Sequence, residues 1–218
     1  MSTTHQGKGA MPLLIDDADF NVKLLAPSKN AEHTARFLEK GTEPFSLPGY
    51  IVPPHYSFRK SLNTEEYRLI APDNEGNPGT IYAVRVYFHS EITHPHRACS
   101  QVMVWRALNR KHQFATRDLP ERFFAYLLES HDIVVSDGEQ TADGQRFWLK
   151  MLEWAWDSGY HVYMADGTQE GYPRYKLQNM DELMEHFYAS IWGNDRDIHP
   201  HRRAIISKSD LASVPLPG

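Results

Sequence analysis

Cysteine is nearly missing from this chain. The single Cys99 has no internal disulfide partner and cannot build a thiolate zinc cluster alone; that usage fits a reducing compartment. Long apolar runs are missing too, since none approaches the ~18 residues of a membrane-spanning helix. The opening MSTTHQGKGAMPLL has no basic flank ahead of an apolar stretch, so it does not read as a secretory signal. The expected location is the cytoplasm, with no membrane partner. Positive charge is in deficit: 23 Lys and Arg against 28 Asp and Glu give a formal net charge of −5, which excludes a general attraction to nucleic acid. A Walker loop, a dinucleotide fingerprint and a recognisable Ser-His-Asp arrangement are absent as well.

Core-forming residues are not scarce. Hydrophobic residues make up 41% and aromatics 12% of 218 residues, enough for one sizeable domain. We expect a disordered leader over 1–12, a single domain over 20–208 and a loosely attached tail over 209–218.

Within the domain, FNVKLLA (Phe20–Ala26) reads as a first strand. SKNAEHTARFLEK follows as a helix, with Ser28 or Asn30 as N-cap and Gly41 as stop. The Pro- and Gly-rich segment from Gly41 to Leu62 reads as a wandering connection. EYRLIAP (Glu66–Pro72) and TIYAVRVYFH (Thr80–His89) alternate apolar and polar residues around the turn-rich DNEGNPG, the strongest hairpin signal in the chain. SQVMVWRAL is a third strand. DLPERFFAYLLES is a helix with Asp118 as cap, and HDIVVSD is a short strand covered on both faces. Helix 141–159 stops at Gly159 and is followed by the strand YHVYMAD, the loop GTQEGYPRYKLQN, the helix MDELMEHFYASIWG and the strand RRAIISK. Short connections make the first strands antiparallel, and the later strand–helix–strand units should be parallel crossovers. The fold expected is α/β (α+β), with a single mixed, mostly antiparallel sheet and flanking helices.

This order of elements over residues 20–208 resembles the GNAT acyltransferase family. YRLIAP, TIYAVRVYF and SQVMVWRAL would be its strands two to four, DLPERFFAYLLES the helix behind them, and HDIVVSD strand five. The resemblance implies an acyl-CoA or another acyl-thioester donor, held near the opening between strands four and five, and a small-molecule or protein amine as acceptor. One feature departs from the family. Its turn before that helix carries glycines that let backbone amides cradle pyrophosphate, whereas RALNRKHQFATRD (Arg106–Asp118) has none. The segment is basic instead: Arg106, Arg110, Lys111 and Arg117 stand ahead of a helix N-terminus, where charge and dipole together favour an anion. A surface-exposed basic loop is the alternative reading. EYRLIAPDNEGNPGTIYAVRVYF with the preceding His55 also resembles the toxin-activating lysine acyltransferases, a GNAT-like group that uses a His and an Asp.

Asp137 closes the strand DIVVSD, at the carboxyl end where α/β sheets gather ligands. Asp137, His96 and His55 are therefore the acid–base candidates. The alternative for Asp137 is an ordinary strand-to-helix turn within SDGEQTADG. Twelve histidines include two His-Pro-His-Arg copies. His94 and His96, with His89 and Glu91 nearby, form one group, and His199 and His201 form the other. Residues two apart in an extended segment face the same way, so each copy offers a metal-ligand pair; as strand-entry loops they need no metal, and no metal is expected. Trp154 and Trp156 cannot share one helix face, so one should reach a surface, where a homodimer contact is one use. Three readings follow: a divergent GNAT-like acyltransferase, a GNAT-shaped binding or inhibitor protein without the donor loop, and a His-dependent metalloenzyme.

Overall fold

The computed structural model describes residues 23–89, 98–107, 109–136, 142–167, 169–170, 172–188, 202–213 and 215. The strands are β1 (Thr42–Pro44), β2 (Ser57–Ser61), β3 (Glu66–Pro72), β4 (Pro78–His89), β5 (Ala98–Arg106), β6 (Asp132–Ser136), β7 (His161–Asp166), β8 (Arg174–Leu177) and β9 (Arg202–Ser207). The helices are α1 (Pro27–Glu39), α2 (Gln113–Thr116), α3 (Leu119–Leu128), α4 (Ala142–Asp157) and α5 (Met180–His186), and a 3-10 turn spans Arg110–His112. The strands form one mixed sheet in the order β1-β2-β3-β4-β5-β6-β9-β7-β8. β1 to β5 make one antiparallel block, and β6, β9, β7 and β8 make another. A parallel pair, β5 with β6, joins the two blocks.

The hairpin signal corresponds to β3 and β4. Their turn closes through Asp73 and Asn77, with Gly76 at φ 86°, where a side chain would be strained. The polar residues of β3 do not face solvent, as simple alternation would have them. Glu66 and Arg68 are buried beneath α1. There Glu66 Oε1 accepts from Arg68 Nε at 2.6 Å and Oε2 accepts from Arg85 at 2.7 Å, while the Arg68 guanidinium lies 4.4 Å from the Phe37 ring centre.

Helices α3, α4 and α5 cover one face of the sheet. Their apolar stripes (Phe123, Phe124 and Leu127; Trp148, Met151 and Leu152; Leu183) close the main core against Val84, Val102, Ile133 and Ile206. Right-handed crossovers put α3 and α4 on the same side. α1 covers the reverse face at β4, with Leu24, Ala83 and Trp105 between them. Farther along that face, Leu211 of the C-terminal segment covers Val134, Tyr163 and Ile205. Residues 210 and 211 are tied to the sheet: Tyr163 Oη donates to Asp210 Oδ1 at 2.7 Å and accepts from the Leu211 amide at 2.8 Å.

Several expectations need correction. β1 and β2 arise inside the segment read as a wandering connection, and β8 lies in a stretch read as loop. Within the expected first strand, Lys23 and Leu24 are helical. The N-cap of α1 is Ala26, with Pro27 opening the helix, in place of Ser28 or Asn30. Asp118 holds the N-cap position of α3, but its side chain makes no capping bond. β9 runs antiparallel to both its neighbours, where a parallel crossover was expected. Trp154 and Trp156 are both half-buried: Trp154 stacks against Tyr160 and Trp156 donates to the Leu177 carbonyl.

Candidate functional site

The join between the two blocks is short. β5 and β6 pair at Ala98–Asp132 and Cys99–Ile133, and there the ladder stops. β5 continues to Arg106 along β4, and β6 continues to Ser136 along β9. Beyond the second rung the two parallel strands are no longer paired in register, although they stay close side by side. Two facing strand edges that do not pair with each other present backbone N–H and C=O groups, which an extended, amide-bearing ligand can satisfy.

The segment after β5 continues from the carboxyl end of that strand. Ala107 N–H still reaches the Ile81 carbonyl. The Asn109 side chain then accepts from the Lys111 amide at 3.0 Å and sets the 3-10 turn Arg110–His112. Arg106, Arg110, Lys111 and Arg117 are all exposed. Of the four, Lys111 reaches Asn74 Oδ1 at 3.4 Å. Desolvation pushes the nearby Asp73 carboxylate up, but the amides of Asn77, Glu75 and Gly76 and the Asn77 side chain together hold it below its ordinary value.

His112 behaves differently from its basic neighbours. It is buried, at 7% exposure, and its Nδ1 lies 2.7 Å from the hydroxyl of Tyr56. Burial first, and then the neighbouring Lys111 charge, lower its pKa, so the ring is neutral near pH 7. Tyr56 sits in the turn before β2 and packs edge-on against both His112 and the exposed Phe114 ring. Next to it, Tyr50 Oη donates to the Ala115 carbonyl at 2.8 Å, and burial pushes its phenol up to about 12. These contacts staple the 47–56 loop onto the segment after β5. Close by, at Tyr82 on β4, the phenol oxygen is buried with no hydrogen-bond partner among the described residues, and burial raises its pKa.

Of the residues singled out in the sequence, Asp137 and His96 lie outside the described residues, as do His94, His199 and His201. His55 is exposed, one residue from Tyr56, with φ 69°, a left-handed conformation uncommon for a side-chain-bearing residue. The structure thus places His55 next to the residue that contacts His112, the sequence neighbour of Lys111. Sequence reasoning did not single out Tyr56 and His112, which make the closest contact there. Among the described residues there is no group of three or more His, Cys, Asp or Glu placed to hold a metal. No helix there is long and apolar enough to cross a membrane.

Comparison with known proteins gives no relative: no family model, no curated protein and no solved structure matches this chain.

Proposed function

We propose that this chain is a divergent GNAT-like acyltransferase that moves an acyl group from a thioester donor to an amine. The observation that carries the reading is the early end of the β5–β6 ladder after Cys99 and Ile133. In this reading these strands would take the places of strands four and five in the GNAT order, where the thioester donor would be held. Further support comes from α3 between β5 and β6, from α4 between β6 and β7, and from α1 on the opposite face near β4.

In the proposed reaction the amine nitrogen attacks the thioester carbonyl carbon. The C–S bond breaks, the donor leaves as a thiolate, and the nitrogen gives one proton to a base. Asp137, His96 and His55 are the candidates for that base, and strand-edge amides beyond the last β5–β6 rung stabilise the oxyanion. The acceptor is a small molecule or a protein amine.

Two measurements test this. Acetyl-CoA and longer acyl-CoAs should stabilise the protein by mass action, about 2.7 kcal/mol at a hundredfold excess over Kd. With an amine present, free thiol should appear in proportion to acylated product. If no thioester raises the Tm and no thiol is released, the acyltransferase reading fails. The absence of glycine from Arg106–Asp118 would then favour the second reading, a non-catalytic binding protein with this sheet.

A further inference from the structure

We infer that Tyr56, His112 and Lys111 form a phosphate-binding site made of side chains, at the place where a glycine-bearing turn would use backbone amides. The inference rests on the acyltransferase reading only for the origin of the phosphate, as part of the donor.

The argument starts from the 2.7 Å contact between Tyr56 Oη and His112 Nδ1. A phenol is a better hydrogen-bond donor than acceptor, and an unprotonated imidazole nitrogen is a better acceptor than a phenol oxygen. Tyr56 therefore donates and Nδ1 accepts. A neutral ring with Nδ1 accepting must carry its hydrogen on Nε2. No protein group among the described residues pairs with Nε2, and Nε2 is not fully enclosed, so this N–H keeps an edge on solvent although the ring is buried.

The donor is fixed from several sides. The His112 carbonyl accepts from Thr116 Oγ1 at 3.2 Å, its amide donates to the Asn109 carbonyl at 3.1 Å, and Tyr56 holds the ring. Among the described residues the ionisable groups acting on the ring are Tyr56 and Lys111, with Tyr50 beside Tyr56, and no carboxylate is among them. A neutral, oriented N–H beside an exposed ammonium is suited to an oxyanion and offers nothing to a cation. Arg110 and Arg117 add exposed charge on the same short segment. Glycine is needed where the backbone itself must approach a phosphate. A site that offers a fixed imidazole N–H and an exposed ammonium does not need it, so the departure of RALNRKHQFATRD from the glycine pattern has a physical counterpart.

The test uses the full chain and four probes: inorganic phosphate, phosphate-free pantetheine, 4′-phosphopantetheine and coenzyme A. Titration calorimetry gives Kd, and long-range 1H–15N NMR of the histidine rings gives the tautomer. His112 should read as the Nε2–H form, and each phosphate-bearing probe should shift its Nε2 resonance while pantetheine does not. Inorganic phosphate binding as tightly as the two phosphorylated pantetheine compounds would make free phosphate the ligand; tighter binding of those compounds would make it the donor's phosphate. Either result supports the site. His112→Ala should weaken binding at least ~10-fold, as expected for loss of a hydrogen bond to a charged group. His112→Gln keeps an N–H near the Nε2 position and should recover part of the loss. Tyr56→Phe is the positioning test: it should weaken binding several-fold and let the tautomers mix. If His112→Ala does not fold, His112→Gln, Tyr56→Phe and Lys111→Ala carry the decision. An Nδ1–H tautomer, or an unchanged Kd in these variants, overturns the inference. If thioesters are turned over but these variants bind phosphate normally, this site fails and the acyltransferase reading stands. If phosphate binds at His112 but no thioester reacts, the reverse holds.

Discussion

The side chain of Asn30 should be worth more to this fold than its position on α1 suggests. The β3–β4 ladder slips between Leu69 and Ile70, where Leu69 faces Tyr82 and Ile70 faces Thr80, so Ile81 has no opposite residue. At this slip the Asn30 amide takes both backbone groups of Thr80. Oδ1 accepts from Thr80 N–H at 2.7 Å and Nδ2 donates to the Thr80 carbonyl at 2.9 Å; Nδ2 also donates to the Leu24 carbonyl at 3.0 Å. Thr80 is fully buried. Asn30→Ala leaves the Thr80 amide with Thr34 Oγ1, 3.0 Å away, but both carbonyls lose this donor. An unsatisfied buried group costs about 1–3 kcal/mol, so the two together should cost about 3 kcal/mol. Alanine is the better helix former by up to ~0.7 kcal/mol, which works against that loss, so the measured value sets a lower bound. Asn30→Asp separates the roles: it keeps the acceptor for Thr80 N–H, removes both donations and points a carboxylate at two carbonyls, so it should cost at least as much as alanine. Urea denaturation followed by tryptophan fluorescence and by circular dichroism reads both variants. A loss below ~0.5 kcal/mol for Asn30→Ala, or an Asn30→Asp protein as stable as the parent, would refute the clamp.

Two further outcomes follow from charged groups. The pKa of His112 is lowered by burial, so the unfolded chain takes up a proton near pH 6.5 while the folded form resists it. Stability should be flat above that pH and should fall as pH drops towards the lowered folded value, by at most ~1.4 kcal/mol per pH unit for one proton. His33 is lowered as well, so the diagnostic is a shallower pH dependence of Tm in His112→Gln than in the parent; identical slopes would remove His112 from the account. Glu66→Gln should cost about 3–5 kcal/mol, because Arg68 and Arg85 would then share a buried site without their carboxylate. Adding Arg85→Met should recover part of that loss in a double-mutant cycle read by urea denaturation, whereas strict additivity would mean that the pairs are independent.

The elements legible in the sequence were those whose information is local. β3 and β4 carried alternation and a turn, α3 and α4 carried apolar stripes, and Gly159 stopped α4 at φ 78° with Tyr160 N–H closing back on the Ala155 carbonyl. β2, SFRKS, has too few apolar residues to signal a strand; it forms because β3 offers a partner edge at Phe58–Leu69. β8 was lost for a similar reason, and that loss propagated. β8 turns back antiparallel to β7, and β9 is also antiparallel to β7, so β8 and β9 are parallel to each other across α5. The crossover rule therefore holds for β8–α5–β9, and one unseen hairpin reversed the expected direction of the final strand. That strand fills the slot between β6 and β7, which are parallel to each other, as their connecting helix requires, without being neighbours. The site has the same logic. The basic loop was visible because its charges are contiguous in sequence. The Tyr56–His112 contact joins residues from opposite sides of four strands, and no periodicity encodes such a pair; what the sequence offered was a lone histidine inside a run of cations, which favour a neutral ring but give no sign that it is buried.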